Sequence, residues 1–168
     1  FISDYTGSEV GRTLNDSLAQ FNYVQGMQGF NIEYNLSNII DLDDVFINYG
    51  VLELYLLEDD NAPITQLLCS YTDTIGENPN PEIRDALISV SRNIYFDGAL
   101  KEVEENGMTL KKYEIIITNH LINLRKGVVE SPYIYIRPLG RGLAKHSIIH
   151  SPNHPIYPAK LKLITTKP

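Results

Sequence analysis

Four short segments of this chain alternate between apolar and polar residues, and this alternation constrains the fold more than any other feature. Successive side chains of a β-strand point to opposite faces, so a period of two indicates strands with one buried and one solvated face. In 52–56, for example, Leu52 and Leu54 are predicted to face the core and Glu53 to face water. The segments are 32–36, 52–56, 134–136 and 161–163.

Turn-forming residues separate these segments from further strand-like ones. Asp97-Gly98 and Asn106-Gly107 are dipeptides typical of two-residue β-hairpins, because both central positions of such a turn need positive φ. The further strands are predicted over 17–24, 66–71, 91–96 and 110–117.

Helical signal is sparse. The best candidate covers 118–126, with the cap-type residue Thr118 at its start and Gly127 at a plausible position just past its end. The segments 39–44 and 82–87 could each form another short helix.

About eight short strands with few helices predict a mainly all-β chain. We expect a two-layer antiparallel β-sandwich, jelly-roll-like, with one or two short helices. With 168 residues, the chain is expected to form one domain over 1–168, which can bury roughly 70% of the surface of its unfolded state.

The chain is acidic, with a formal net charge of −7. Broad binding to a nucleic-acid backbone needs a basic face, so no nucleic-acid partner is expected. No apolar run approaches the ~18 residues of a membrane-spanning helix. The sequence starts at Phe1 rather than Met, which predicts a processed product or a fragment whose targeting signal lies upstream.

Cys69 is the only cysteine, and it lies in the apolar strand pattern 66–71. A single thiol can form neither an intramolecular disulfide nor a cysteine-based metal cluster. Its apolar neighbours predict a buried, inert thiol rather than a catalytic nucleophile.

The segment Tyr23-Val24-Gln25-Gly26-Met27-Gln28-Gly29-Phe30 places two glycines three apart between two strand patterns. This spacing predicts a bulge or tight bend that joins the strands. We expect both glycines to be backbone requirements rather than ligand-binding residues, since glycine tolerates positive φ.

The same segment resembles one that recurs, as Tyr-(Leu/Val)-Gln-Gly-x-x-Gly, in a family of Bacteroidota lipoproteins designated domain of unknown function 4270. Other landmarks match that family in order along nearly the whole chain. They are the turn at 6–11, the strand 46–54 with its Ile-Asn pair, the strand-to-helix junction 113–121 and the closing strand 160–165. At the junction the family usually has an aromatic residue where this chain has His120.

The resemblance implies the C-terminal, jelly-roll-like part of a longer outer-membrane lipoprotein, whose lipidated cysteine lies upstream of Phe1. It implies an extracytoplasmic location, anchored at the outer membrane or on the cell surface, with the membrane contacted only through that lipid. No catalytic residues are established for the family, so the resemblance assigns none to this chain.

His146, His150 and His154 recur every four residues, which can indicate metal ligands. Pro152 and Pro155 forbid a helix that would gather them, and on a strand successive histidines would lie ~13 Å apart. Zinc needs its ligands within ~2.1 Å of the ion. We therefore expect a polar loop without a metal, although folding around the prolines could bring two of the histidines together.

No cofactor is predicted, with a structural calcium ion as the alternative. Oxygen ligands cluster in two acidic turns, but neither turn has the spacing of an EF-hand calcium loop. Solvated turns are therefore the favoured interpretation. The calcium candidates are Asp41, Asp43, Asp44, Asp59 and Asp60.

Candidate binding residues lie on a tyrosine-bearing strand and in the basic loop that follows it. Tyr133 and Tyr135 are predicted to share a solvent-facing side, where they could stack on a sugar ring or dock a protein. Arg137 and Arg141, with nearby glycines, could hold a carboxylate or sulfate. Cross-strand packing of the tyrosines and an ordinary hairpin loop are the alternatives, and we favour them.

We expect a non-catalytic β-sandwich module of the cell envelope that presents loops and a sheet face to a cell-surface protein or glycan. The alternative is a carbohydrate-active enzyme or an accessory carbohydrate-binding domain. The sequence has no Gly-x-Ser-x-Gly elbow and no phosphate loop, but paired carboxylates for glycoside hydrolysis remain open because their separation is spatial. A concave, tyrosine-lined groove facing acids would favour the alternative, an apolar patch would favour a protein partner, and a structural spacer would show neither.

Overall fold

The computed structural model describes residues 16, 18–27, 29–42, 44–57, 62–71, 82–83, 85, 96–140 and 144–168. These residues form mainly antiparallel strands with two short helices, so the prediction of a mainly all-β sandwich is confirmed. The strands are β1 Phe21–Gln25, β2 Ile32–Asn35, β3 Phe46–Tyr55, β4 Leu67–Tyr71, β5 Asp97–Glu105, β6 Met108–Ile116, β7 Tyr133–Pro138, β8 His146–His150 and β9 Lys160–Thr166, and the helices are α1 Ser37–Ile40 and α2 Thr118–Arg125.

The described strands form two layers around one core. The first layer is a four-stranded sheet in the order β5-β6-β3-β9. The second contains the three-stranded sheet β2-β7-β4 and the two-stranded ribbon β1-β8. Isolated bridges between Gln66 and Ala99, and between Leu56 and Ile149, connect the layers at two places.

The inward faces of the alternating segments build the core, as predicted. Leu54, Ile134 and Ile136 have no exposed surface. Leu161 and Leu163 are partly buried and pack against the hydrophobic core. Each fully buried aliphatic side chain contributes about 1.5–3 kcal/mol relative to leaving it in water. The period of two therefore assigns the correct face to each segment.

The outer face of β3 differs from the prediction. Glu53 is only 3% exposed, so the expectation that it faces water is wrong. The reason is the position of β3 between β6 and β9, which places Lys112 and Lys160 beside this face. Their long side chains cover the strand, and β3 is buried on both sides.

The Asn106-Gly107 turn forms as predicted, with φ values of 54° and 76°. It joins β5 to β6, and Glu105 pairs directly with Met108. Asp97 also has a positive φ, of 61°, and these residues begin β5 at a point where its register with β6 shifts, but the strand that would precede them in the predicted hairpin lies outside the described residues. Gly98 has a φ of 74°, and a Cβ atom there would collide with the carbonyl oxygen of Leu67.

The predicted bend between the first two strands is present. The N–H of Gly29 donates to the carbonyl of Gly26 over 3.0 Å. A left-handed backbone occurs at Met27, whose φ is 52°. Gly29 is required by a close approach, because a Cβ atom there would lie 2.7 Å from Cβ and Cγ of Gln25.

Helix α2 confirms the segment predicted over 118–126, and Gly127 follows it with a φ of 68°. Thr118 does not cap the helix, so that part of the prediction is wrong. The carboxylate of Asp85 takes this role, accepting hydrogen bonds from the backbone N–H groups of Asn119 (2.9 Å) and His120 (2.8 Å). A capping group so distant in sequence cannot be recognised from a local motif.

Three other expectations have mixed outcomes. The helix predicted over 39–44 begins earlier, at Ser37, and ends at Ile40. Cys69 is fully buried, as predicted, and burial raises the pKa of its thiol. The strand predicted over 91–96 and the helix predicted over 82–87 lie mostly outside the described residues.

Among the described helices, none is long and apolar enough to cross a membrane.

We expect Leu54→Asp to abolish cooperative folding, because an unpaired carboxylate in a packed core costs several kcal/mol. Ile164→Asp is the matched control, since Ile164 is 60% exposed on β9, and it should change the free energy of unfolding by no more than about 0.5 kcal/mol. Urea denaturation followed by circular dichroism checks both variants. Equal behaviour of the two would contradict the assignment of faces.

His120 generates a second prediction. Its ring is buried against the ring of Tyr71, with the centroids 5.2 Å apart, and its Nε2 has no hydrogen-bond partner within the described ranges of the chain. Burial lowers the pKa of His120 to about 4. The unfolded chain therefore binds this proton first as the pH falls, and the free energy of unfolding should drop by about 3 kcal/mol between roughly pH 6.5 and pH 4.

His120→Phe should remove that part of the acid sensitivity, because phenylalanine keeps an aromatic ring against Tyr71 without a titrating group. Thermal melts of both proteins across this pH range provide the measurement. If the variant and the parent lose stability in parallel on acidification, His120 is not the titrating group.

Candidate binding site

The structure brings three of the four predicted binding residues onto one surface. Tyr133, Tyr135 and Arg137 alternate along β7 and point away from the core. Tyr133 is 39% exposed, whereas Arg137 is half-buried and forms an ion pair with Glu82 at 3.3 Å. This guanidinium is thus engaged within the molecule. Arg141 lies outside the described residues.

The acidic turn before β3 is stabilised by the positively charged side chain of Arg125. Asp41 and Asp44 are exposed there, and the guanidinium of Arg125 donates to the carbonyls of Leu42 and Val45. A fixed positive charge on these oxygens opposes a calcium ion at the same place. The remaining calcium candidates, Asp43, Asp59 and Asp60, lie outside the described residues.

Two of the three regularly spaced histidines come together. His146 and His150 are the first and last residues of strand β8, so the polar loop predicted for the histidine segment is wrong over 146–150, and His146 is exposed. The chain then folds back so that His154 stacks on His150, with ring centroids 3.7 Å apart and an interplanar angle of 14°. The nitrogen lone pairs of stacked rings lie in nearly parallel planes, which is unsuited to one shared ion. Within the described part of the chain, no group of three or more histidine, cysteine or acidic residues is placed to hold a metal.

Beside the histidine pair lies a concave pocket of about 230 Å³, which we call the aromatic pocket. Tyr55 and Tyr157 form part of its wall, with ring centroids 5.3 Å apart. Aliphatic side chains supply most of the remaining surface. The lining residues are Tyr55, Leu56, Leu57, Met108, Leu110, His150 and Tyr157.

Tyr55 is held rigidly at one side of the pocket. Its hydroxyl donates to the carboxylate of Glu105, 3.0 Å away. Lys112 and Lys160 lie over its ring, 5.7 and 5.4 Å from the centroid. Burial, followed by the hydrogen bond to Glu105, raises the pKa of Tyr55 to about 12. The phenol therefore stays neutral at physiological pH.

Tyr157 contributes an unsatisfied polar group. Its hydroxyl oxygen is buried and has no hydrogen-bond partner among the residues that the structure describes. A buried hydroxyl without a partner costs about 1–3 kcal/mol, so such groups need an explanation. Because the oxygen has almost no accessible surface, a ligand in the aromatic pocket could satisfy it only after a movement of the Tyr157 side chain.

The pocket adjoins a network of charges on the outer face of the four-stranded sheet, which we call the ion network. Glu53 lies at its centre, with the ammonium groups of Lys162 at 2.8 Å, Lys112 at 3.2 Å and Lys160 at 3.4 Å. Lys112 also contacts Glu114 at 3.0 Å. The remaining members are Lys101, Asp97 and Glu105.

These contacts shift the protonation equilibria toward the charged forms. Burial disfavours a charged Glu53, but hydrogen bonds from Lys162 and Lys112 outweigh it and lower the pKa of Glu53. The same balance, with Lys101 and Lys112 as donors, lowers the pKa of Glu114. Both carboxylates therefore stay ionised and paired at neutral pH.

A larger hollow of about 420 Å³ lies between the end of α2 and the start of β3. Arg125 and Lys126 border it, together with the exposed ring of Phe46. The guanidinium of Arg125 is already committed to two backbone carbonyls. Because the aromatic pocket combines aromatic walls with an unsatisfied hydroxyl, it is the better candidate for a binding site.

The positions of some residues of this pocket could be predicted from the sequence. Met108 and Leu110 follow the Asn106-Gly107 turn, and strand alternation places both on the same face as Lys112. The position of Tyr157 carries no such signal, because it depends on how the proline-bearing segment after β8 folds back. No protein-family model matches the chain, and no curated protein matches it either. The resemblance to the Bacteroidota lipoprotein family stays a prediction.

The ion network provides the next prediction. Glu53→Gln should lower the free energy of unfolding by about 3 kcal/mol or more, because it leaves Lys112 buried with less opposing charge. Since the pKa of Glu53 is lowered in the folded state, its contribution should be present at neutral pH and lost as the pH falls below its ordinary pKa. Urea denaturation at neutral pH provides the measurement.

Glu102→Gln is the control for charge alone, because Glu102 is exposed on the neighbouring strand β5. It should change stability by less than about 0.5 kcal/mol. If removing either carboxylate has the same effect, Glu53 does not organise the network.

Proposed function

We propose that this chain is a non-catalytic β-sandwich module of the cell envelope that binds a protein partner by accepting an apolar side chain into the aromatic pocket. The envelope location, extracytoplasmic and anchored through a lipid upstream of Phe1, rests on the resemblance to the Bacteroidota lipoproteins. The binding role rests on the chemistry of the pocket.

The observation that carries the proposal is an apolar hollow with an exposed apolar rim. Its volume of about 230 Å³ lies below the ~300–1,000 Å³ of typical small-molecule sites and suits a single side chain. Met108 is 46% exposed beside it, and methionine adapts readily to different partners. Interfaces gain most of their affinity from a few anchors that fill such pockets.

A binding role fits the nearby carboxylates better than hydrolysis does. Glycoside hydrolysis needs one carboxyl group with a raised pKa, as the acid, and a second ionised group across the substrate. In the ion network the pKa values of Glu53 and Glu114 are both lowered. Glu105 shares its carboxylate with Tyr55 and Lys112. The acids beside the pocket thus neutralise lysines, which supports a non-catalytic surface.

Glycan binding is the second candidate function, and the hydroxyl of Tyr157 favours it. That group is buried without a partner in the described part of the chain, and a sugar hydroxyl could supply one while the sugar ring contacts an aromatic wall. A glycan ligand would therefore depend on the Tyr157 hydroxyl, whereas an apolar protein anchor would depend on the rim at Met108.

We expect Met108→Lys to weaken partner binding roughly tenfold or more, because it places a charge at the mouth of an apolar pocket. Immobilised protein, exposed to solubilised outer-membrane proteins from a Bacteroidota species, provides the assay, with each captured protein then purified for titration. Tyr133→Ala is the matched control on the other layer, and it should leave the affinity unchanged.

Loss of binding in Tyr133→Ala but not in Met108→Lys would move the site to the tyrosine-bearing face of β7. A glycan array extends the test to the second candidate. Binding to a glycan that Tyr157→Phe abolishes would replace the protein partner with a sugar.

A further inference from the structure

The stacked histidines are tied to the aromatic pocket through the backbone of Tyr157. The ring of His150, which lines the pocket, has its Nδ1 3.0 Å from the Tyr157 carbonyl oxygen. Because a carbonyl oxygen only accepts hydrogen bonds, this nitrogen carries a proton and donates it. One side of the Tyr157 backbone is thus held by His150.

His154 also binds the backbone of Tyr157, but as a hydrogen-bond acceptor rather than as a donor. Its Nδ1 accepts hydrogen bonds from the backbone N–H groups of Tyr157, at 3.1 Å, and Ile156, at 3.4 Å. An imidazole nitrogen that accepts must be unprotonated, so His154 has its proton on Nε2 and is neutral. These two hydrogen bonds of the turn 154–157 therefore exist only with this protonation state.

A proton on Nδ1 of His154 would face two N–H donors and remove both hydrogen bonds. It would also place a charge against the ring of His150, 3.7 Å away. Phe21, from β1, packs against both imidazoles with centroid distances of 5.6 Å, and it offers no compensating charge. Lys160, a member of the ion network, lies over the ring of Tyr55 instead.

We propose that protonation of His154 in mildly acidic solution opens the turn 154–157 and withdraws Tyr157 from the wall of the aromatic pocket, so that binding there is lost. This inference rests on the proposed function of the pocket for its consequence, but the conformational step itself needs no ligand. It gives the module a pH-dependent site rather than a permanent one.

The direction of the effect follows from the environment of His154. Burial lowers the pKa of this imidazole below its ordinary value of 6.5. Above that value the turn is intact, and it loses stability as the pH falls through the lowered pKa, because the opened form takes up the proton more readily.

Nuclear magnetic resonance of the protein alone tests the proposal. We expect the amide resonance of Tyr157 and the methyl resonance of Met108 to shift between about pH 7.5 and pH 5 with the same midpoint as the His154 ring. His154→Asn is the decisive variant, because the asparagine side-chain oxygen can accept the same backbone N–H groups without titrating. Both resonances should then stay at their neutral-pH positions.

His146→Asn is the matched control, since it removes an exposed imidazole from the preceding strand β8, and it should keep the wild-type transition. Titration of the His154 ring without movement of the Tyr157 amide would overturn the proposal. An unchanged transition in His154→Asn would overturn it as well. The titration uses no partner, so its result is separate from the capture experiment with Met108→Lys, which tests the binding function.

Discussion

The carboxylate of Glu53, surrounded by the ammonium groups of three lysines, is the interaction on which the outer side of this sandwich depends. Strand β3 pairs with β6 on one side and β9 on the other, and its inner face lies in the core. A buried carboxylate alone costs several kcal/mol, and Lys112, Lys160 and Lys162 compensate that cost. Buried ion pairs add little net stability compared with apolar packing, but their geometry is demanding. The network therefore favours one register of three strands over its alternatives.

The same network sets the shape of the aromatic pocket. Lys112 and Lys160 lie over the ring of Tyr55, and Glu105 accepts the hydrogen bond of its hydroxyl. Tyr55 is thereby fixed where the β5–β6 hairpin and the segment after β8 meet. Tyr157 completes the wall through a turn that depends on a neutral histidine. One side of the pocket thus rests on ion pairs, and the other rests on backbone hydrogen bonds that the neutral His154 ring accepts.

The sequence predicted the features that depend on local chemistry. Period-two alternation identified the inward faces of β2, β3, β7 and β9, and Asn106-Gly107 identified the β5–β6 turn, because one dipeptide specifies the conformation there. The features that depend on distant residues were missed. Glu53 is buried by lysines up to 109 positions away, and the helix α2 is capped by Asp85 rather than by Thr118. An alternating pattern reports which face a residue occupies but not what covers that face.

The candidate site shows the same division. Tyr133, Tyr135 and Arg137 share a face because they lie two residues apart on one strand, which the sequence alone determines. The aromatic pocket instead collects residues from β3, β6, β8 and a proline-bearing segment, and its depth comes from their meeting. A side chain bound on a flat sheet face stays partly in contact with water. A pocket removes such an anchor from water on several sides, so each contact contributes more to the free energy of binding. Physical reasoning therefore favours the pocket over the face that the sequence had suggested.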